Sequence, residues 1–199
     1  MRCELKLVLG IGNPGIKYLK TRHNAGFIIL DKIAEKLNLE FIPSKFDFYF
    51  ARGQINNSEF ILVKPTTFVN LSGRAAKNAL EHCEVEPKDF LVVTDDINLD
   101  DGKIRIRRSG GDGGHNGLSS IIYELMTEDF PRLRYGVGKY EDKGNMADFV
   151  LSNYFDDSNE EQLEKLNFAS EIVIKFLESS IEGALEYFSR NFNKSIDQS

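Results

Sequence analysis

The chain has 199 residues, 41% of them hydrophobic and 28% charged, with a net charge of −6. That length and balance fit one globular domain with its own core and exclude a disordered chain. A disulfide framework is excluded too, since Cys3 and Cys83 are the only cysteines. No apolar run reaches the length of a membrane span, and no secretory leader precedes the first strand, so a cytoplasmic protein is expected. The acidic balance argues against non-specific coating of nucleic acid but leaves room for a local basic stripe.

Lys6 to Leu9 reads as a buried strand. The following "LGIGNPG", residues 9–15, carries the G-x-G-x-x-G spacing of a dinucleotide loop. Such a loop opens directly into a helix, with an acidic residue ending the second strand. Here Pro14 sits inside the loop and the helical period starts only at Asn24, running through Ala25, Ile29, Ile33 and Leu37. Asp31 and Glu35, at the right distance for a ribose contact, fall inside that helix. The nicotinamide reading is set aside. The glycines instead predict a sharp turn at the carboxyl end of a strand, placing Asn13 where α/β sheets bind ligands.

Further along, "FYFARGQI" and "EFILVK" predict an antiparallel hairpin joined by the polar three-residue turn "NNS". A helix is predicted over 72–83 with Ser72 as its cap. "DFLVVT" is a buried strand, residues 103–107 an alternating one, "GLSSIIYELM" a helix and "LRYGVG" another strand. The last forty or so residues are helical, about 156–192. No repeat or low-complexity segment interrupts the series. Strands alternating with helices, plus a hairpin, predict a single α/β sandwich with a mixed sheet.

If the strands ending at Leu9 and Thr94 are parallel, Asn13, His23, Asn70, Asp95, His115 and Asn116 converge on one crevice. His23 is the candidate general base. The helix N-terminus beside it is expected to keep the ring neutral, and Asp95 to orient it and stabilise its charged form. On spacing alone the plainer reading is favoured, in which "TRHNAG" is a capping turn and Asp95 a loop cap. His82 and Cys83 read as ordinary helix positions. With no H-E-x-x-H and no Cys/His cluster, no metal site is expected, and no G-x-S-x-G provides a serine nucleophile.

"SGGDGGHNG" places four glycines among residues 109–114, either a plain surface loop or a mobile gate over the crevice. Before it, "KIRIRR" puts Ile104 and Ile106 on one side of a strand and Lys103, Arg105 and Arg107 on the other. Arg108, Arg132 and Arg134 add to the cluster. A charged strand face is usually only solvated, but in a chain of pI about 5.2 this one reads as a phosphate contact.

Taken together, "GIGNPG…YLKTRHNAG", "KPTTFVNLSG", "VTDDINLDDGKIRIR", "GGHNGLSSI" and "FPRLRYGVG…DFVLSNYF" resemble bacterial-type peptidyl-tRNA hydrolases in order and spacing, from about Leu5 to Phe155. The resemblance implies one domain over 1–199, a three-layer α/β/α sandwich around a mixed, mostly parallel sheet. It also implies a monomer that needs no cofactor, metal or membrane. The implied reaction is hydrolysis of the ester joining a peptide to the 3′ ribose of tRNA, which frees tRNA for further translation. His23 matches the water-activating histidine, Asp95 its partner, and Asn13 the asparagine that polarises the ester and discriminates blocked substrates. Tyr18, Phe68, Asn70, His115 and Asn116 match contacts to peptide and acceptor end, and Arg107 and Arg134 match contacts to tRNA phosphates. Asn98, Asp100, Asp101, Asp112 and Tyr140 depart from the family pattern without touching the matched catalytic positions. A rival of another class is a non-catalytic RNA-binding relative, which would tolerate loss of His23 or Asp95; both are present.

Overall fold

The computed structural model describes residues 5–141 and 144–192; Cys3 lies outside them. Seven strands form one sheet: β1 (Lys6–Gly10), β2 (Ile42–Pro43), β3 (Phe48–Ile55), β4 (Ser58–Pro65), β5 (Phe90–Asp96), β6 (Ile104–Arg107) and β7 (Arg132–Gly136). Their order is β2-β3-β4-β1-β5-β7-β6. The centre, β4-β1-β5-β7, is parallel, while the flanking pairs β2-β3, β3-β4 and β7-β6 are antiparallel.

Alternation within the central strands feeds two cores. Val8, Leu62, Leu91 and Val93 pack on one face with helices α1 (Ala25–Lys36), α5 (Glu160–Glu178) and α6 (Ile181–Phe192). Leu7, Leu9, Phe90 and Val92 pack on the other with α2 (Ser72–Cys83) and α3 (Asn116–Leu125). Apolar side chains on both faces are what a parallel centre between two helical layers requires. The three-layer expectation therefore holds, with parallel pairing confined to the centre of the sheet.

Lys6 is a buried cation at the start of β1. Its Nζ donates to the carbonyls of Leu177 (3.1 Å) and Ser179 (2.5 Å) and lies over the Phe176 ring. Those carbonyls belong to the end of α5, where backbone acceptors lack helical partners and a cation is favoured. One lysine thus fastens the C-terminal helices to the central sheet.

Two local expectations need correction. The hairpin turn is two residues, not three: Ile55 pairs with Ser58, and Asn56 and Asn57 both adopt positive φ, 46° and 66°. That is the mirror-image turn whose twist suits a hairpin, and asparagine tolerates it. Ser72 does not cap α2 either; Leu71 holds that position and the Ser72 hydroxyl donates to the Val69 carbonyl.

Candidate active site

Parallel pairing of β1 with β5, in the register Gly10 to Val93, brings the ends of both strands to one edge. The loop after β1 carries Asn13, and a short 3₁₀ turn, Arg22–Asn24, leads into α1 and presents His23. This turn can sit close because α1 begins against backbone. A Cβ on Gly26 would lie 2.4 Å from the Val93 carbonyl oxygen, and one on Gly10 would lie 2.6 Å from the Gly26 carbonyl oxygen. Gly10, the first glycine of the G-x-G-x-x-G stretch, and Gly26 therefore serve helix-to-strand approach.

At the end of β5, Asp95 is 1% exposed and accepts from two imidazoles. His23 Nδ1 and His115 Nε2 each lie 2.9 Å from its Oδ1. The ring centroids are 5.0 Å apart. His115 is also the cap of α3: its Nδ1 accepts from the backbone N–H of Gly117 (3.1 Å) and Leu118 (3.3 Å). A nitrogen that accepts two N–H bonds carries no proton, so the His115 proton sits on Nε2 and points at Asp95 and the Thr94 hydroxyl, 2.8 Å away. Asp95, an acceptor on both sides, likewise requires the proton of neutral His23 on Nδ1. The open lone pair of the cluster is then His23 Nε2.

Burial would push His23 toward neutrality, but the Asp95 charge and hydrogen bond outweigh it and hold the imidazolium form above its ordinary value. Burial likewise opposes ionisation of Asp95, but the N–H groups that His115 and His23 direct at it, joined by the charge of His23 once that ring is protonated, hold its carboxyl well below the usual range. The pair is therefore ionised once His23 takes a proton.

Asn13 is oriented as tightly as the histidine. Its backbone N–H donates to Asn24 Oδ1 (2.9 Å), its carbonyl accepts from Asn24 Nδ2 (3.0 Å), and its side-chain Oδ1 accepts from the Val69 N–H (3.1 Å). With the oxygen so engaged, the NH₂ of Asn13, itself a lining residue of the crevice, is what the side chain has left to offer, as a donor.

These groups line a crevice of about 610 Å³ together with Phe68, Asn70, Asn116 and Arg134. Asn70 and Asn116 are exposed on its walls. Tyr18 and Arg107 are not among the lining residues. Tyr18 meets the edge of the Phe68 ring at 6.5 Å. Arg134 has a partner already: it donates to the carbonyls of Gly111 and Asp112, each at 2.9 Å, and lies 3.4 Å from Asp96. Arg132 beside it holds the carbonyls of Gly110 and Gly111. The glycine-rich loop is thus latched from beneath by two arginines, with Gly113 and Gly114 at φ 60° and 81° supplying its sharp reversal. Asp112 stays within the loop, its Oδ1 accepting from the Gly114 N–H at 2.7 Å. Asp100 and Asp101, two other departures from the family pattern, pair with Lys139 (2.9 Å) and Lys165 (3.1 Å).

Three features escaped the sequence. Asn24 gives no periodic signal that separates it from a helix start. His115 caps through a ring nitrogen, a role usually filled by Ser, Thr, Asp or Asn. A short helix, α4 (Met146–Val150), adds Met146, Ala147, Val150 and the following Leu151 to the crevice wall; only its capping Asn145 marks it. His23, Asp95 and His115 could together offer ligand atoms within 4.8 Å of one another to a metal. In the observed arrangement His23 Nδ1 and His115 Nε2 are both spent on Asp95, and a metal would have to break those bonds.

Known proteins resemble the chain over nearly its whole length. The family model described as Peptidyl-tRNA hydrolase matches residues 7–198. The peptidyl-tRNA hydrolase of Caldanaerobacter subterraneus subsp. tengcongensis is 43% identical over 183 residues, 92% of this chain and 98% of that one. That of Clostridium botulinum is 39% identical over 191 residues, 96% of this chain and 99% of its own. A crystal structure of the enzyme from Acinetobacter baumannii superposes with a TM-score of 0.81 at 28% identity, covering 93% of this chain and 94% of that chain. The match spans both the crevice and the helices beyond it, and the chain belongs to the peptidyl-tRNA hydrolase family.

Proposed function

We propose that the crevice hydrolyses the ester of peptidyl-tRNA, with His23 as general base. The observation that carries this reading is the polarity of the His23–Asp95–His115 cluster, which leaves His23 Nε2 as its one unspent nitrogen, on a residue that lines the crevice. A water on that nitrogen attacks the ester carbonyl while its proton passes to His23. Asp95 then faces an imidazolium it is placed to stabilise. The Asn13 NH₂ donates to the carbonyl oxygen as negative charge develops there. Collapse of the tetrahedral intermediate expels the 3′ oxygen of the ribose, which recovers a proton through His23. Asn70 and Asn116 contact the peptide and the acceptor end, and Tyr18 supports Phe68 against the same substrate.

Arg107 is the tRNA contact outside the crevice. It makes no ion pair among the described residues, whereas its neighbour Arg108 pairs with Glu182 at 3.1 Å. In register, Ile104 faces Tyr135 and Tyr135 faces Asp95, so Arg107 sits two strands over and three residues down. That is roughly 10 Å across the sheet and 10 Å along it, a span of a few nucleotides. Arg134 contributes to the phosphates where the loop it holds gives way to RNA. No described helix is long and apolar enough to cross a membrane; a single copy acting in the cytoplasm completes the reading.

Incubation with an N-blocked aminoacyl-tRNA and with its unblocked form tests the proposal. Release from the blocked substrate alone is expected. Binding without release from either supports the non-catalytic rival.

A further inference from the structure

We infer that Arg22 is a positioning residue that holds the α4 wall against the catalytic turn and thereby sets how well the site accepts bulky acyl groups. This rests on the function proposed above. Arg22 immediately precedes His23, and its guanidinium lies between two rings, 4.3 Å from the Phe149 centroid and 4.7 Å from that of Tyr154. Its Nε donates to the Val137 carbonyl at 3.1 Å and its Nη1 to the Ser152 hydroxyl at 2.5 Å. Among the described residues it forms no salt bridge, so stacking and neutral acceptors hold it in place.

The backbone makes the same connection. The Arg22 N–H donates to the Ser152 carbonyl, Thr21 bridges Asn153, and the Tyr154 and Phe155 N–H groups both reach the Lys20 carbonyl. Beyond Phe149 the chain of rings continues to Tyr140, 5.6 Å away, whose hydroxyl donates to the Gly144 carbonyl. A helix of five residues has no stability of its own, so its place depends on these attachments. What α4 presents to the crevice is apolar: Met146, Val150 and Leu151, the first and last of them 49% and 39% exposed. The asparagines supply polarity elsewhere in the crevice, and this wall suits the side chains of a peptide. A planar guanidinium can stack on two rings and donate in its own plane; an ammonium cannot.

Arg22→Lys and Arg22→Met test the assignment, each checked for native circular dichroism. Both are expected to raise KM about tenfold for a peptidyl-tRNA with bulky apolar side chains, as when an apolar pocket is misplaced. KM for N-acetylglycyl-tRNA should stay within about twofold, because its acyl group is too small to need the α4 wall; kcat and the His23 pH profile should hold too, since the Arg22 side chain bonds to neither His23 nor Asp95. Leu151→Ala should reproduce the size dependence and add little on top of Arg22→Met. Phe149→Leu, which removes one side of the stack, serves if Arg22→Met fails to fold. Equal KM increases for both substrates, a fall in kcat with a moved pH profile, or lower stability alone would overturn the inference. Absence of any wild-type hydrolysis would overturn the proposed function instead, and with it the premise.

Discussion

Two hydrogen bonds from backbone N–H groups to His115 Nδ1 decide the proton map of the whole cluster. Because that ring donates toward Asp95 and its other nitrogen is occupied, His23 is the proposed base. Its pKa lies above the ordinary 6.5, so activity should fall as pH drops through that raised value. Asp95→Asn keeps the shape and removes the charge. It should lower kcat and move the acid limb of the pH–rate profile to lower pH; an unmoved limb would separate His23 from Asp95. The same pair stabilises the fold with opposite-running edges. The His23 contribution is complete below about pH 6.5, its unfolded value, and lost as pH rises through the raised folded value. The Asp95 contribution is present above about pH 3.9 and lost as pH falls through the depressed value. Between those limits the pair contributes most. Asn24 acts one step further back, holding the Asn13 backbone. Asn24→Ala should cost about 10–100-fold in kcat, less than the roughly 10²–10³-fold expected for Asn13→Ala, which removes the donor itself. Steady-state kinetics on both variants distinguishes them, and an Asn24 variant as slow as Asn13→Ala would place Asn24 among the reacting groups.

At the scale of elements, the site depends on how near α1 approaches the sheet. Gly26→Ala would drive a Cβ into the Val93 carbonyl, two residues from Asp95. It is expected to destabilise the fold by about 1–3 kcal/mol and to slow turnover together. Urea titration and kcat check this; unchanged stability would mean the helix moves off without cost. The lysine at the start of β1 works similarly at the other end. Lys6→Met leaves the α5 carbonyls without their donor and should cost about 1–3 kcal/mol. Strong alternation and long helical periods made most of these elements legible in the sequence, as did the residues at the crevice edge. What stayed hidden was geometry that no period encodes. The left-handed pair Asn56–Asn57 shortened the hairpin turn, a histidine did the work of a serine cap, and α4 is too short to show a period. The departure Tyr140 likewise gains meaning only when its ring is seen against Phe149.

For the molecule as a whole, the question is how a chain of net charge −6 holds a polyanion. Most of its acidic groups near the site are already matched: Asp96 by Arg134, Asp100 by Lys139, Asp101 by Lys165. The exposed face of β6 keeps Arg105 and Arg107 without carboxylate partners among the described residues, so the positive charge there is free to meet phosphate. If it does, log KM should rise with log salt by about 0.7–0.9 per phosphate contact, and Arg107→Ala should flatten that slope by about one contact. A parallel slope would move the tRNA path off this edge. The proposed hydrolysis stands on His23 as its base, with the substrate held by other groups. Its most direct test is single-turnover hydrolysis of N-blocked aminoacyl-tRNA by His23→Ala, with tRNA affinity measured on the same protein. The expected result is a rate lower by about 10²–10⁴-fold with affinity within a few-fold of wild type; hydrolysis persisting near the wild-type rate would contradict it.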